Sequence, residues 1–307
     1  MNALIVGLVR SRESTPAGLF LIFSTIFSAV SGAVLAESVS IFFPEFSLIL
    51  RSFAVFWIGT RMRALGNMMH ECSHGIFVRS ATANTALGHL LAAADLTSFA
   101  EYSEQHASHH AHLGDPQRDL DYRARFFLLG KKKSLASIMH MVFSSILLIP
   151  LWVQILRPVF WDKRAPLWSN CVRLGYLCAV VLACAHPASG YFTMLYLIVP
   201  YLTSYQWMRI FSDGCDHLFL TEAFDSNERS RNHLFHSSLV NMIIFPRNDG
   251  YHLLHHLFPT LPTRYYPETH HRLMQNPWYA SRSHFIVNFK NRGESCAAKP
   301  VVQGQSR

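Results

Sequence analysis

Apolar residues along the chain gather into long runs instead of alternating with polar ones. The run 17–36, AGLFLIFSTIFSAVSGAVLA, carries no charge and is long enough to cross a bilayer. A short basic stretch precedes it, so a cleaved signal peptide ending near Ala36 is the competing reading. SLILRSFAVFWIGT, at 47–60, predicts the return crossing over about 44–62, with Arg51 needing an interface within reach. Further on, VRLGYLCAVVLACA and YFTMLYLIVPYLTSYQWM flank the turn signal HPASG and predict a second hairpin, with spans at about 170–186 and 190–211. Two weaker runs fit interfacial elements: 85–100 contains Asp95, and 137–156 carries His140, Pro150 and Gln154.

The segments 63–135 and 212–292 are polar, aromatic and His-rich, and 293–307 reads as a disordered tail. Two hairpins return the chain to its starting side, which places all the His-rich segments in one compartment. A fifth span at 137–156 would divide them. The expected fold is therefore an all-α integral membrane protein, one domain over 1–292. It has four transmembrane helices in two hairpins, interfacial helices and a His-rich cap.

Charge orients this arrangement. The net charge is +8, and Lys131, Lys132, Lys133, Arg10, Arg12, Arg61 and Arg63 lie beside the apolar runs, as the positive-inside rule expects of cytoplasmic segments. A bacterial inner membrane with the cap in the cytoplasm fits. No nucleic-acid module accompanies the basic excess. The six cysteines form no C-x-x-C pair and several sit in apolar stretches, predicting reduced, buried thiols.

Histidine carries the candidate chemistry. HECSH presents His70 and His74, HASHH presents His106, His109 and His110, and HLLHH presents His252, His255 and His256. On a helix, positions i, i+3 and i+4 share a face, so each cluster aims its imidazoles one way. HECSH also matches the H-E-x-x-H zinc-protease pattern, with Glu71 as general base and Asp249 as a possible third ligand. That chemistry uses three protein ligands and leaves HASHH and HLLHH idle. Eight imidazoles suit two metals with open positions, and an all-nitrogen pair beside a membrane suggests iron and dioxygen activation. A membrane metal carrier is a third reading, but the spans lack the polar residues that transport needs.

HECSHGIF, QHASHHAHLGDPQRDLDY and GYHLLHHLFPTLP, in that order, resemble the three histidine boxes of the membrane fatty-acid desaturase and hydroxylase superfamily. The resemblance runs from about Arg51 to Pro267. It implies a further ligand, His217 in SDGCDHLFL, and places Asp213 where some members use an Asn that holds a water. It implies two non-haem irons, dioxygen as co-substrate and desaturation of an aliphatic, fatty acyl chain. Hydroxylation of a lipid, acyl-carrier substrate or carotenoid is the alternative outcome.

No flavin, nicotinamide or haem motif is present, so electrons are expected from a ferredoxin or cytochrome-type donor docking on the basic cap. The partners expected are the lipid membrane and an acyl chain on lipid, coenzyme A or carrier protein. Asp115, Asp119 and Asp121 are candidates to accept the outer N–H of a ligand imidazole, and His112, His233 and His236 to support the site from outside. Asp213 joins them, with capping of a helix end as its plain alternative. Cys72 reads as packing; His270, His271 and His284 as surface residues.

Overall fold

The computed structural model describes residues 11–121, 136, 139, 143, 161–217, 229–282 and 284–286. Nearly all of the run 137–156, with His140, lies outside these residues, as do the lysine triplet and the tail. The described chain is helical, and its only β contacts are isolated bridges, Glu13 with Val78 and Leu234 with Phe285.

Helix α1, Thr15–Phe42, starts where the Ser14 hydroxyl accepts the Ala17 N–H, has Pro16 in its first turn, and stops before Pro44. Its Phe20, Phe23, Phe27, Val30 and Val34 are exposed, an apolar surface that lipid satisfies and water does not. Helix α2, Ser47–Ser73, returns antiparallel. Gly32 leaves room for Trp57, whose indole N–H donates to the Ser28 carbonyl at 3.1 Å. At the far end Arg51 meets Glu37 through two hydrogen bonds of 3.0 and 2.9 Å. That pairing is how a charge inside this run is accommodated.

Helix α3, Ala81–Ala94, and α4, Phe99–His112, are capped by Ser80 and Ser98 and fold back along the inner end of α2. The 85–100 run is thus most of one helix, a turn and the start of another, with Asp95 at the bend. Helix α5 spans Leu167–Ala185. The next segment is interrupted: an α-helical turn at Gly190–Thr193, π-helical stretches at Met194–Ile198 and Tyr201–Tyr205, then α6, Gln206–His217. It presses against α2 so closely that a Cβ on Gly59 would fall 2.1 Å from the Ser204 hydroxyl. Ser204 in turn donates to the Val55 carbonyl at 2.8 Å. The cap is completed by α7, Ser238–Ile244, α8, His252–Leu257, and α9, Tyr266–Leu273.

Among the described residues two helices, α1 and α5, are long and apolar enough to cross a membrane by length and composition. The other two expected spans differ for physical reasons. Helix α2 continues without a break from its apolar half into the first histidine cluster and carries Arg51, Arg61, Arg63 and Glu71. The segment from Gly190 to His217 is divided among α and π turns. The cysteines also depart from expectation: all five described are free, Cys72 and Cys215 are buried, but Cys171 and Cys178 are exposed on α5.

Candidate metal centre

Four elements converge at the inner end of α2. Helix α2 supplies His70 and His74, α4 supplies His106, His109 and His110, α6 ends in His217, and α8 supplies His252, His255 and His256. Eight of these nine imidazoles form two sets of four. His70, His74, His106 and His255 place one ligand atom each within 4.8 Å of one another, and so do His109, His217, His252 and His256. In the first set, His106 Nε2 lies 2.8 Å from His70 Nε2 and 2.7 Å from His74 Nε2. In the second, His217 Nε2 lies 3.1 Å from both His109 Nε2 and His252 Nε2. His110 stands where the sets meet, with Nε2 2.9 Å from His255 and its ring centroid 4.4 Å from that of His256.

The outer nitrogens define what the inner ones can do. His217 Nδ1 faces the Arg229 carbonyl at 2.7 Å, an acceptor only, so the proton resides on Nδ1. His109 Nδ1 donates to Asp119 Oδ2 at 3.0 Å, and the same oxygen accepts the Gly114 N–H at 2.9 Å. His255 Nδ1 contacts the Tyr266 hydroxyl at 3.2 Å. In these tautomers the Nε2 atoms of His109 and His217 carry lone pairs, facing each other at 3.1 Å with no proton between them. Such an arrangement is repulsive alone and is relieved by a cation accepting both pairs. The donor set therefore fits metal ions with nitrogen ligands.

Electrostatics agrees. Burial, reinforced by neighbouring imidazoles, holds His106, His252, His255 and His256 well below the usual histidine range. Burial lowers His74 to about 4 and His110 to about 2. Imidazoles that resist protonation are available as ligands at neutral pH.

Asp119 is fully buried against His109. Asp115 is not: its carboxylate accepts the Gln117 and Arg118 N–H groups in an exposed turn. His112 is exposed, and exposed His236 stacks on Phe285. His233 is completely buried, with Nδ1 3.4 Å from Asp216 Oδ1, and burial lowers it to about 4. His284 is no surface residue either; it is buried, facing Asn232 at 3.0 Å and the Tyr279 carbonyl at 2.8 Å. Asp213 is half-buried, and its charge bears on Arg63 and Arg209.

The residue that sequence reasoning missed is Asp216. Its Oδ1 lies 3.4 Å from His252 Nδ1 as well as from His233 Nδ1, which places a carboxylate beside a ligand of the second set. Its adjacency to His217 was the available signal.

Glu71 and Asp249, the acids of the zinc-protease reading, are both engaged elsewhere. Arg247 bridges both Glu71 oxygens at 2.8 Å, and Arg63 holds Asp249 at 2.7 Å. Burial works to raise Asp249, but Arg63 outweighs it and keeps the carboxyl below its usual range. Arg247 and Asn248 both sit at positive φ, 65° and 62°, in the loop leading to α8. The Glu71 bridge thus ties this strained turn to the first histidine cluster.

A family model for fatty acid desaturase matches residues 47–286. Dihydrorhizobitoxine desaturase of Bradyrhizobium elkanii is 27% identical over 248 residues, covering 74% of this chain and 68% of its own length. The chloroplastic omega-3 fatty acid desaturase of Brassica napus is 25% identical over 250 residues, covering 68% of this chain and 57% of its own.

Proposed function

The chain belongs to the fatty acid desaturase family, a group of desaturase-type oxidoreductases, and from that premise we propose that it introduces a double bond into an aliphatic, fatty acyl chain. The observation that carries this reading is the pair of convergent imidazole sets with their Nε2 lone pairs turned inward. His70, His74, His106 and His255 would hold one iron, His109, His217, His252 and His256 a second, with His110 between them. When bound, the iron pair supplies dioxygen activation: an acyl CH₂–CH₂ becomes CH=CH, and dioxygen, with two external electrons and two protons, leaves as two waters.

The chain's own residues position and exclude. Asp119 and the Arg229 carbonyl keep protons on the outer nitrogens of His109 and His217, so their inner nitrogens stay aimed at the centre, and Asp216 lies beside His252. Arg63, Arg247 and their acids brace the inner end of α2 beneath it. Burial keeps the site dry, which protects reactive oxygen chemistry from water.

We read α1, the outer part of α2, α5 and the Gly190–Phe211 segment as four spans, with the histidine cap in the cytoplasm of an inner membrane. A ferredoxin or cytochrome-type donor supplies electrons at the basic cap. The test is expression in a host lacking the activity, followed by mass spectrometry of its acyl lipids. A new unsaturated acid that disappears with His106→Ala supports the reading. A hydroxy acid redirects it to hydroxylation, and neither product refutes it.

A further inference from the structure

A cavity of about 730 Å³ lies between α1, the middle of α2, α3, α5 and the π-helical segment. Its walls are largely apolar: Ala29, Val30 and Ala33 from α1, Leu177 from α5 and Phe192 from the last span are representative. Ile26, Val30 and Val34, also on its wall, are exposed, so it opens sideways where lipid would stand. Three charged side chains line it: Glu37, Arg61 and Asp95.

The two acids are already answered. Glu37 is bridged by Arg51 and receives the Tyr196 hydroxyl at 2.5 Å. Asp95 faces Arg209 at 3.9 Å. Arg61 is different. Its Nε donates to the Thr60 hydroxyl at 2.9 Å and its guanidinium lies 4.2 Å over the Trp57 ring, but no carboxylate among the described residues faces it. Its Nη2 is enclosed, without a hydrogen-bond partner. Arg61 is half-buried, and a guanidinium that lines an apolar groove with no carboxylate opposite it is better satisfied when an anion enters that groove. The planar fork suits a carboxylate or phosphate, and the aromatic face beneath fixes its plane.

We infer that the groove binds an anionic amphiphile, its acid group on Arg61 and its hydrocarbon chain between α1 and the π-helical segment. Arg61 is ten residues along α2 from Arg51, the partner of Glu37, which leaves roughly 15 Å of groove for the chain. In the other direction His70 is nine residues away on the same helix, roughly 14 Å. The π turns bring Tyr196, Tyr201 and Tyr205 to one cavity wall, an irregularity of the kind that accompanies binding sites. The inference rests on the proposed function in treating this face as lipid-embedded. The shared chemistry is an acid on an aliphatic chain, whether a fatty acid carboxylate or the phosphate of a membrane lipid.

The test is equilibrium binding to the detergent-purified full chain of radiolabelled palmitate, its methyl ester and phosphatidylglycerol. Wild type binds at least one of the two acids saturably and about tenfold or more tighter than the ester, the scale of one charge-assisted contact. Arg61→Gln erases that preference, Arg61→Lys restores part of it, and Ala33→Phe, which fills the groove, abolishes binding of acid and ester alike. Palmitate that phosphatidylglycerol does not displace identifies the carboxylate; the reverse identifies the lipid phosphate. Equal affinity for acid and ester in wild type, an unchanged preference in Arg61→Gln, or indifference to Ala33→Phe overturns the inference. Metal content of the same preparations separates the two claims: a preparation without metal counts against the proposed function and leaves the Arg61 comparison readable.

Discussion

Replacing Asp119 by alanine removes a single buried oxygen that accepts from both His109 Nδ1, at 3.0 Å, and the Gly114 amide, at 2.9 Å. Hydrogen bonds to a charged group contribute about 1.5–3 kcal/mol, and loss of a partner that orients a metal-bound imidazole costs about 10–100-fold in metal affinity. The affinity loss corresponds to about 1.4–2.8 kcal/mol. The alanine variant belongs at the upper end, because it leaves the buried His109 donor and the half-buried Gly114 amide without their acceptor. Asp119→Asn keeps an oxygen in place without its charge and belongs at the lower end. The effect should be confined to the set containing His109, so chelator titration of the alanine variant should strip one metal site well before the other. Asp115→Ala, which alters only an exposed turn, is the control. An Asp119→Ala protein that holds metal at both sites as tightly as wild type would refute the argument that outer hydrogen bonds aim these imidazoles.

Glu71→Gln should lower the thermal midpoint, because it leaves the half-buried Arg247 without its charged bidentate partner, a loss of about 1.5–3 kcal/mol. Metal should still bind; a variant with unchanged stability would show the bridge to be incidental. Metal-stripped protein should lose stability on acidification. His74 and His233 have folded values of about 4, below the unfolded value near 6.5, so their contribution is complete above about pH 6.5 and is lost as pH falls toward 4. Unfolding midpoints that do not change between pH 7.5 and 5 would contradict the burial argument. Gly59→Ala should destabilise the contact between α2 and the π-helical segment by about 1–3 kcal/mol, since the new Cβ meets the Ser204 side chain and the Tyr205 amide. Thermal denaturation in detergent reads that effect, and a neutral variant would show that the two helices can separate freely.

The histidine boxes were legible in sequence because i, i+3 and i+4 spacing is a local property of a helix. His70, His74, His106, His109 and His110 needed no tertiary information to be placed on common faces, and the family resemblance added His217. Asp119 was legible for a related reason: it lies in the turn just after its own ligand helix. Asp216 was not. A residue next to a ligand on a helix points about 100° away from it, and only the arrival of α8 brings His252 to that side. His284 was misread because its polar ring is satisfied inside the cap by Asn232 and the Tyr279 carbonyl, partners distant in sequence. Hydropathy located α1 and α5. It marked α2 as a span over about 44–62, whereas the helix continues unbroken to Ser73, with arginines answered by Glu37 and Asp249. It contained nothing of the π turns, which arise from packing against α2.

The central claim is that two imidazole sets hold two metal ions. Elemental analysis of the purified chain, beside the His74→Ala and His252→Ala variants, tests it most directly. The account predicts iron at both sets in wild type, with each variant losing chiefly the metal of its own set. A single zinc that survives His252→Ala but not His74→Ala would contradict it.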